Sequence, residues 1–333
     1  MRQFDDGRLD DPRIVCGEAA EPLRHLALAG ARLRRALGSA DLGALGSAVG
    51  GMTPRAVVAV GPEARLIRAV AEPVSPVPLV AWAASGLPAW VGALDLVVIV
   101  GGEGHDVNAT TADAIRRGAF AFVLTPRPGQ VAEHAVGRSA VAVSTATADP
   151  FVNAVIALAG LAGLGLAPAI TPERVADSLD AVAENCSPHV LLGLNPAKNT
   201  TVCLADSIPL VWGGTVLAAR ASRRVAEAIR QASGRAALAA DAAELRPVLA
   251  GCAPPDVFAD PFEDPPADPA YCFVCLDDCC PGPTEGGVLE ALAEAHGVRV
   301  ARLRYDQGAA LERYACLLQH GRFAAAYLAL GLV

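Results

Sequence analysis

Glu103, His105 and Asp106 sit in one glycine-rich stretch, Ile99–Ala109 (IVGGEGHDVNA), between an apolar run at Leu96–Val100 and a helix-like run at Thr111–Arg117. A turn that ends a buried strand and opens a helix is where a parallel α/β sheet receives its ligand. Glycines there let backbone N–H groups approach an anion. Two carboxylates do the opposite, because they repel an anion at short range. Gly101, Gly102, Glu103, Gly104, His105 and Asp106 are therefore a ligand-loop candidate whose polar residues are wrong for phosphate. Glu103 and Asp106 could hold a divalent cation, but nothing in the sequence demands one, and no metal site or cofactor is assigned.

Gly213-Gly214-Thr215 is a second candidate. It follows the apolar run SIPLVW and opens a helix carrying Arg220, Arg223 and Arg224. Backbone N–H groups with the Thr215 hydroxyl could hold an anion at the helix start, with Arg223 nearby. The same glycines would also serve a tight strand-to-helix turn. Gly46–Gly51 (GSAVGG) looks like a phosphate loop but precedes its strand, so it reads as a flexible connection. Cys272 and Cys275 form a CxxC with Cys279 and Cys280 close by, yet a zinc site needs a second spaced pair. The first pair falls in a strand, where residues three apart face opposite sides, so a buried structural set is the reading. His105, His134, His189 and His296 are scattered, with no HExxH and no Ser-centred GxSxG elbow in the chain. His105 alone lies in a candidate loop, and there it reads as a loop residue rather than a base.

Elements must hold these residues in place. Apolar runs at Arg55–Gly61, Val77–Trp82, Asp95–Val100, Ala119–Leu124 and Val141–Val143 predict strands, with helices between them. The pattern repeats with strands at Ser207–Gly213, Tyr271–Leu276 and Val298–Tyr305. Helices are predicted at Glu21–Leu37, Phe151–Leu166, Thr171–Glu184, Ala218–Ala232, Glu285–His296, Leu311–Gln319 and Phe323–Leu330. Ala253–Ala270, rich in Pro and Asp, predicts an exposed loop. Buried strands alternating with helices mean an α/β fold, its parallel sheets covered on both faces.

Bulk properties narrow the partners. Apolar residues make up 53% of the 333, and the net charge is -8. No basic patch with interleaved aromatics marks a nucleic-acid surface. Phe151–Ile170 is apolar apart from Asn153, and reads as a buried helix rather than a membrane span. The acidic start, Met1–Pro12, is no signal peptide, so a cytoplasmic protein with reduced thiols is expected.

Leu87–Gly92 (LPAWVG) followed by Asp95–Val100, Arg117-Gly-Ala119, Asn195-Pro-Ala-Lys198, Ile208–Gly213 and Tyr327–Leu330 occur in an order and spacing that resembles the sugar isomerase (SIS) domain family. The likeness is to its bacterial phosphoglucose/phosphomannose isomerase branch, in a divergent actinobacterial form. It implies two SIS subdomains, each a flavodoxin-like parallel five-stranded sheet flanked by helices, and a homodimer with a sugar-phosphate site. On that frame the expected divisions are 1–54 N-terminal helices, 55–150 first subdomain, 151–200 connecting helices and 201–333 second subdomain.

The departures from the family carry the functional reading. Gly61-Pro-Glu-Ala64 stands where the family has Gly-Gly-Ser, and Gly101–Asn108 stands where it has a Ser/Thr-rich phosphate loop. The family's catalytic Glu aligns near Arg230–Ser233, its catalytic His near Ala243–Pro247, and its catalytic Lys beyond Val333. None carries over, and Glu244 is the single carboxylate near the right place. Losing an acid–base group costs about 10²–10⁴-fold each. The expectation is a non-catalytic binding or regulatory protein of glucose/mannose phosphate metabolism, with a sugar phosphate or an enzyme of mannose metabolism as partner. Two alternatives stand beside it. One is an active isomerase with Glu244 as base and Arg223 or Arg246 on the phosphate; the other is a structural subunit without a ligand.

Overall fold

The computed structural model describes residues 3–49, 51, 53–84, 86–101, 106–126, 140–252, 270–279 and 285–333. Two compact units divide the chain out of sequence order: residues 30–176 form one, and residues 1–29 with 177–333 form the other.

In the first unit, α3 (Ala29–Ser39) and α4 (Leu42–Val49) lead into β1 (Ala56–Val60), α5 (Ala64–Ala71), β2 (Leu79–Trp82) and β3 (Asp95–Val100). Then come α6 (Val107–Arg116), β4 (Phe120–Thr125), β5 (Ala140–Ser144) and α7 (Pro150–Gly163). The strands form one parallel sheet in the order β2-β1-β3-β4-β5, the flavodoxin-like order. Every residue of β1, β3 and β4 is buried, which is why these strands read as unbroken apolar runs. One face packs Val58, Val60, Val97 and Ile99 with Leu87, Val91 and Ala114. The other receives α7, where a Cβ on Gly160 would come within 2.9 Å of Phe122 and 3.0 Å of Leu45. Gly46–Val49, expected as a flexible connection, is the last part of α4. Burial of Leu45 and Val49 outweighs the low helix propensity of its glycines.

The other unit begins with α1 (Pro12–Val15) and α2 (Glu21–Ala27), and resumes after α8 (Pro172–Asn185), which crosses the division. It continues with α9 (Pro196–Leu204), β6 (Ile208–Gly213), α10 (Val216–Ser233), β7 (Leu238–Ala239) and α11 (Ala242–Ala250). β8 (Tyr271–Asp277), α12 (Glu285–Ala295), β9 (Arg299–Arg304) and α13 (Ala310–Gly331) complete it. Its parallel sheet runs β7-β6-β8-β9, four strands among the described residues where five were expected. The helix expected over Glu21–Leu37 breaks at Leu28 into α2 and α3. The two expected C-terminal helices are one, α13, because Gly321 lets it continue hard against Val225 of α10. α9, β7 and α11 were not anticipated: β7 is two residues long, and α11 carries Pro247 inside it. Among the described residues no helix is long and apolar enough to cross a membrane.

Gly61 ends β1 at φ 113, and a Cβ there would collide with the Val100 carbonyl of neighbouring β3. Gly61→Ala is expected to cost about 2–5 kcal/mol, from overpacking and the unfavourable backbone angle together. A urea melt measures this, and an unchanged midpoint would mean the strand ends do not meet this closely.

Candidate functional site

A parallel sheet opens a crevice where the chain leaves one strand for one neighbour and later returns on its other side. In the first unit that point lies between the loops after β1 and β3. The β1 loop is Gly61-Pro62-Glu63, and Glu63, fully buried, occupies the N-cap position of α5. The β3 loop begins at Gly101, whose N–H donates to the Leu124 carbonyl at 3.1 Å. It ends at Asp106, the N-cap of α6, whose carboxylate accepts the Ala109 N–H at 2.8 Å. Asp106 thus closes the helix start with its own negative charge. Gly102, Glu103, Gly104 and His105 lie outside the described residues, as do His134, Cys280 and residues 253–269 of the expected exposed loop.

In the other unit the crevice lies between the loops after β6 and β8. Gly213 and Gly214 are needed as glycines for packing. A Cβ on Gly213 would run into the Ala218 backbone, and one on Gly214 would lie 2.8 Å from the Trp212 indole. A Cβ on Gly286 would meet the same indole at 2.8 Å. Thr215 caps α10, its hydroxyl accepting the Ala218 N–H at 3.0 Å. The same hydroxyl donates to the carboxylate of buried Asp278 at 2.6 Å, from the far side of the crevice. The helix start that could receive an anion already faces one.

The rim beside it is mostly acidic. Asp277 accepts the Cys279 N–H at 2.8 Å and stands 4.0 Å from the Arg304 guanidinium, which lies 3.9 Å from Asp306. Cys279 follows in a left-handed backbone conformation, φ 51.

The residues of the relocated-isomerase alternative are engaged locally. The Glu244 carboxylate accepts the Asp241 N–H at 3.3 Å in a capping box at the start of α11. Arg223 stands 3.8 Å from Asp241, and Arg246 stands 3.3 Å from Glu285, all four side chains about half exposed or more. Glu244 and Arg223 share one partner, Asp241, while Arg246 turns to α12. No pairing joins the three into one site.

Cys272 and Cys275 are both buried in β8. Burial pushes their thiols up to about 12 and about 11, which favours the neutral thiol at neutral pH. Among the described residues no group of three or more His, Cys, Asp or Glu is arranged to hold a metal ion.

Two buried carboxylates at the strand ends, Glu63 and Asp278, were not singled out from sequence as site residues. The signal for Asp278 was present: it directly follows the buried run YCFVCLD. Lys198, read only as part of a motif, is fully buried and tethers the start of α9. Its ammonium donates to Asp10 at 2.8 Å and to the carbonyls of Val190 at 2.8 Å and Pro188 at 3.0 Å.

The fold has solved counterparts. Over 94% of its length the chain superposes on tagatose-6-phosphate ketose/aldose isomerase from Escherichia coli, covering 93% of that chain with a TM-score of 0.61 at 13% identity. The C-terminal domain of glucosamine-fructose-6-phosphate aminotransferase from Francisella tularensis gives 0.63 at 12% identity, with 94% and 96% covered. A glucose-6-phosphate isomerase-like protein from Thermus thermophilus gives 0.57 at 17% identity, with 99% and 93% covered. No protein-family model and no curated protein matches the chain. The architecture is the two-sheet sugar isomerase fold.

Proposed function

We propose that this chain is a sugar-phosphate-isomerase-like protein that has kept the scaffold and given up the isomerisation. It serves as a cytoplasmic, homodimeric binding or regulatory protein of glucose and mannose phosphate metabolism, with a sugar phosphate or a mannose-metabolising enzyme as partner. The fold likeness to phosphosugar isomerases supports the metabolic setting. The observation that carries the loss of chemistry is the Thr215–Asp278 contact at 2.6 Å, which puts a buried carboxylate at the helix start best placed to take a phosphate. Capping by Glu244 supports the same reading, since a carboxylate held on backbone N–H is not poised to remove a proton from sugar carbon.

The test is a coupled assay of the purified protein with glucose 6-phosphate and mannose 6-phosphate, with a divalent-metal series. The expected result is no fructose 6-phosphate above background. Turnover at about 1–10³ s⁻¹, the ordinary enzyme range, would overturn the proposal and restore the relocated-residue alternative. A rise in Tm with either sugar phosphate, without turnover, would identify the ligand, because only binding to the folded state stabilises it.

A further inference from the structure

We infer that the Tyr305–His320–Thr200 chain is an acid-operated latch on the end of β9, and so on the rim of the crevice after β8. His320 lies on α13, buried, and each ring nitrogen meets a hydroxyl. Nε2 is 3.1 Å from Thr200 Oγ1 on α9, and Nδ1 is 3.1 Å from the Tyr305 hydroxyl. Tyr305 follows β9 directly, next to Arg304, and its N–H extends the strand pairing to the Asp277 carbonyl at 2.9 Å. The phenol therefore ties the same backbone that carries Arg304 toward Asp277.

The hydrogen-bond network assigns the protons. The single Thr200 hydroxyl hydrogen goes to the Pro196 carbonyl at 2.9 Å. Thr200 can then only accept from Nε2–H, which leaves Nδ1 as acceptor for the Tyr305 O–H. Acid adds a proton from water at Nδ1. The Nδ1–Tyr305 bond must reverse, the phenol hydrogen loses its acceptor, and a unit charge lies in a buried site. Opening the β9 end to water relieves all three.

The direction of the titration agrees. Burial lowers the imidazole from 6.5 to about 4, opposed by the Pro196 carbonyl. No charged group is among the causes. The ionisable groups that the surrounding elements bring include Tyr305 and Cys186, both raised by burial, Lys198 on α9 held by Asp10, Arg224 with Glu227 on α10, and Glu312 and Cys316 on α13. The closed state binds its proton more weakly than the open one. Opening is therefore favoured as pH falls below 6.5, and the gain levels off near 4.

Hydrogen–deuterium exchange of the full chain at pH 7.5 and 5.5, corrected for intrinsic exchange rates, tests the latch. Peptides covering 303–309 should exchange about tenfold faster at pH 5.5, while those from β6 and β8 stay unchanged. His320→Gln, which can offer the same donor and acceptor without titrating, should remove the pH effect. Tyr305→Phe should speed exchange of 303–309 about fivefold already at pH 7.5, from one lost hydrogen bond. The latch is overturned if 303–309 shows no acceleration, or if β6 and β8 accelerate equally, which would be global unfolding. A pH effect that persists in His320→Gln, or Tyr305→Phe exchange equal to the parent's, would overturn it too.

Discussion

Lys198→Met should destabilise the unit of residues 1–29 and 177–333 by about 2–6 kcal/mol, mostly the cost of leaving two carbonyls without their donor. The side chain is 0% exposed, and its three N–H donors are taken by Asp10 and the Pro188 and Val190 carbonyls. Methionine fills similar volume, so cavity formation is minor and the loss reports the polar contacts. Two carbonyls are left without a donor, at about 1–3 kcal/mol each. Asp10 keeps the Leu192 N–H but loses its cation. At 33% exposure Asp10 can recruit water, so its share is the smaller one. Asn195 adds to the cost of disorder here, because its side chain caps α9 and also donates to Ser187 at 2.9 Å, closing the same turn. Urea unfolding by circular dichroism measures the change. Adding Asp10→Asn to Lys198→Met should recover only part of the loss, since the carbonyls stay orphaned. A single-variant loss below about 1 kcal/mol would mean water reaches this pocket and the lysine is not the tether described.

The sequence made the sheets legible and left the pairings dark. Asp95–Val100 was read to the residue as a strand, because burial on both faces selects an unbroken apolar run and the run is local information. Tyr271–Leu276 and Glu285–His296 were found within one residue for the same reason. The partnerships on which the proposals rest are not local. Thr215 and Asp278 are 63 residues apart, Lys198 and Asp10 are 188 apart, and Thr200 and His320 are 120 apart. No periodicity encodes those distances. Glu244 shows the opposite case: its place near the family's catalytic position suggested a base, while Asp241 three residues earlier was the local mark of the helix start that Glu244 caps. Gly213–Thr215 form the strand-to-helix turn that their glycines allow, and the candidate anion contact there turns on a residue that only the parallel β6–β8 pairing brings alongside.

That residue supplies the sharpest functional test. Asp278→Ser should raise the affinity for glucose 6-phosphate or mannose 6-phosphate at the start of α10 by about ten- to a hundredfold. The variant removes a carboxylate that sits 2.6 Å from the Thr215 hydroxyl and leaves a hydroxyl in its place. A phosphate bound on the α10 N–H groups would lie a few ångströms from the Asp278 charge. Repulsion of two unit charges at 4 Å is about 1–4 kcal/mol between bulk water and a protein surface, and about 1.4 kcal/mol is tenfold in binding. The released hydroxyl of Thr215 gains a free hydrogen to donate, and the helix dipole then favours the anion instead of being neutralised by Asp278. Asp278→Asn separates the two effects, because it removes the charge but can still hold Thr215. Isothermal titration at low salt reads both variants against the parent chain. Equal affinity in all three would mean that Asp278 does not guard this helix start, and the proposed loss of isomerase chemistry would then have to rest on other residues. Enhanced binding without turnover in Asp278→Ser would trace the weakened anion recognition to a single side chain and would agree with the proposed absence of isomerisation.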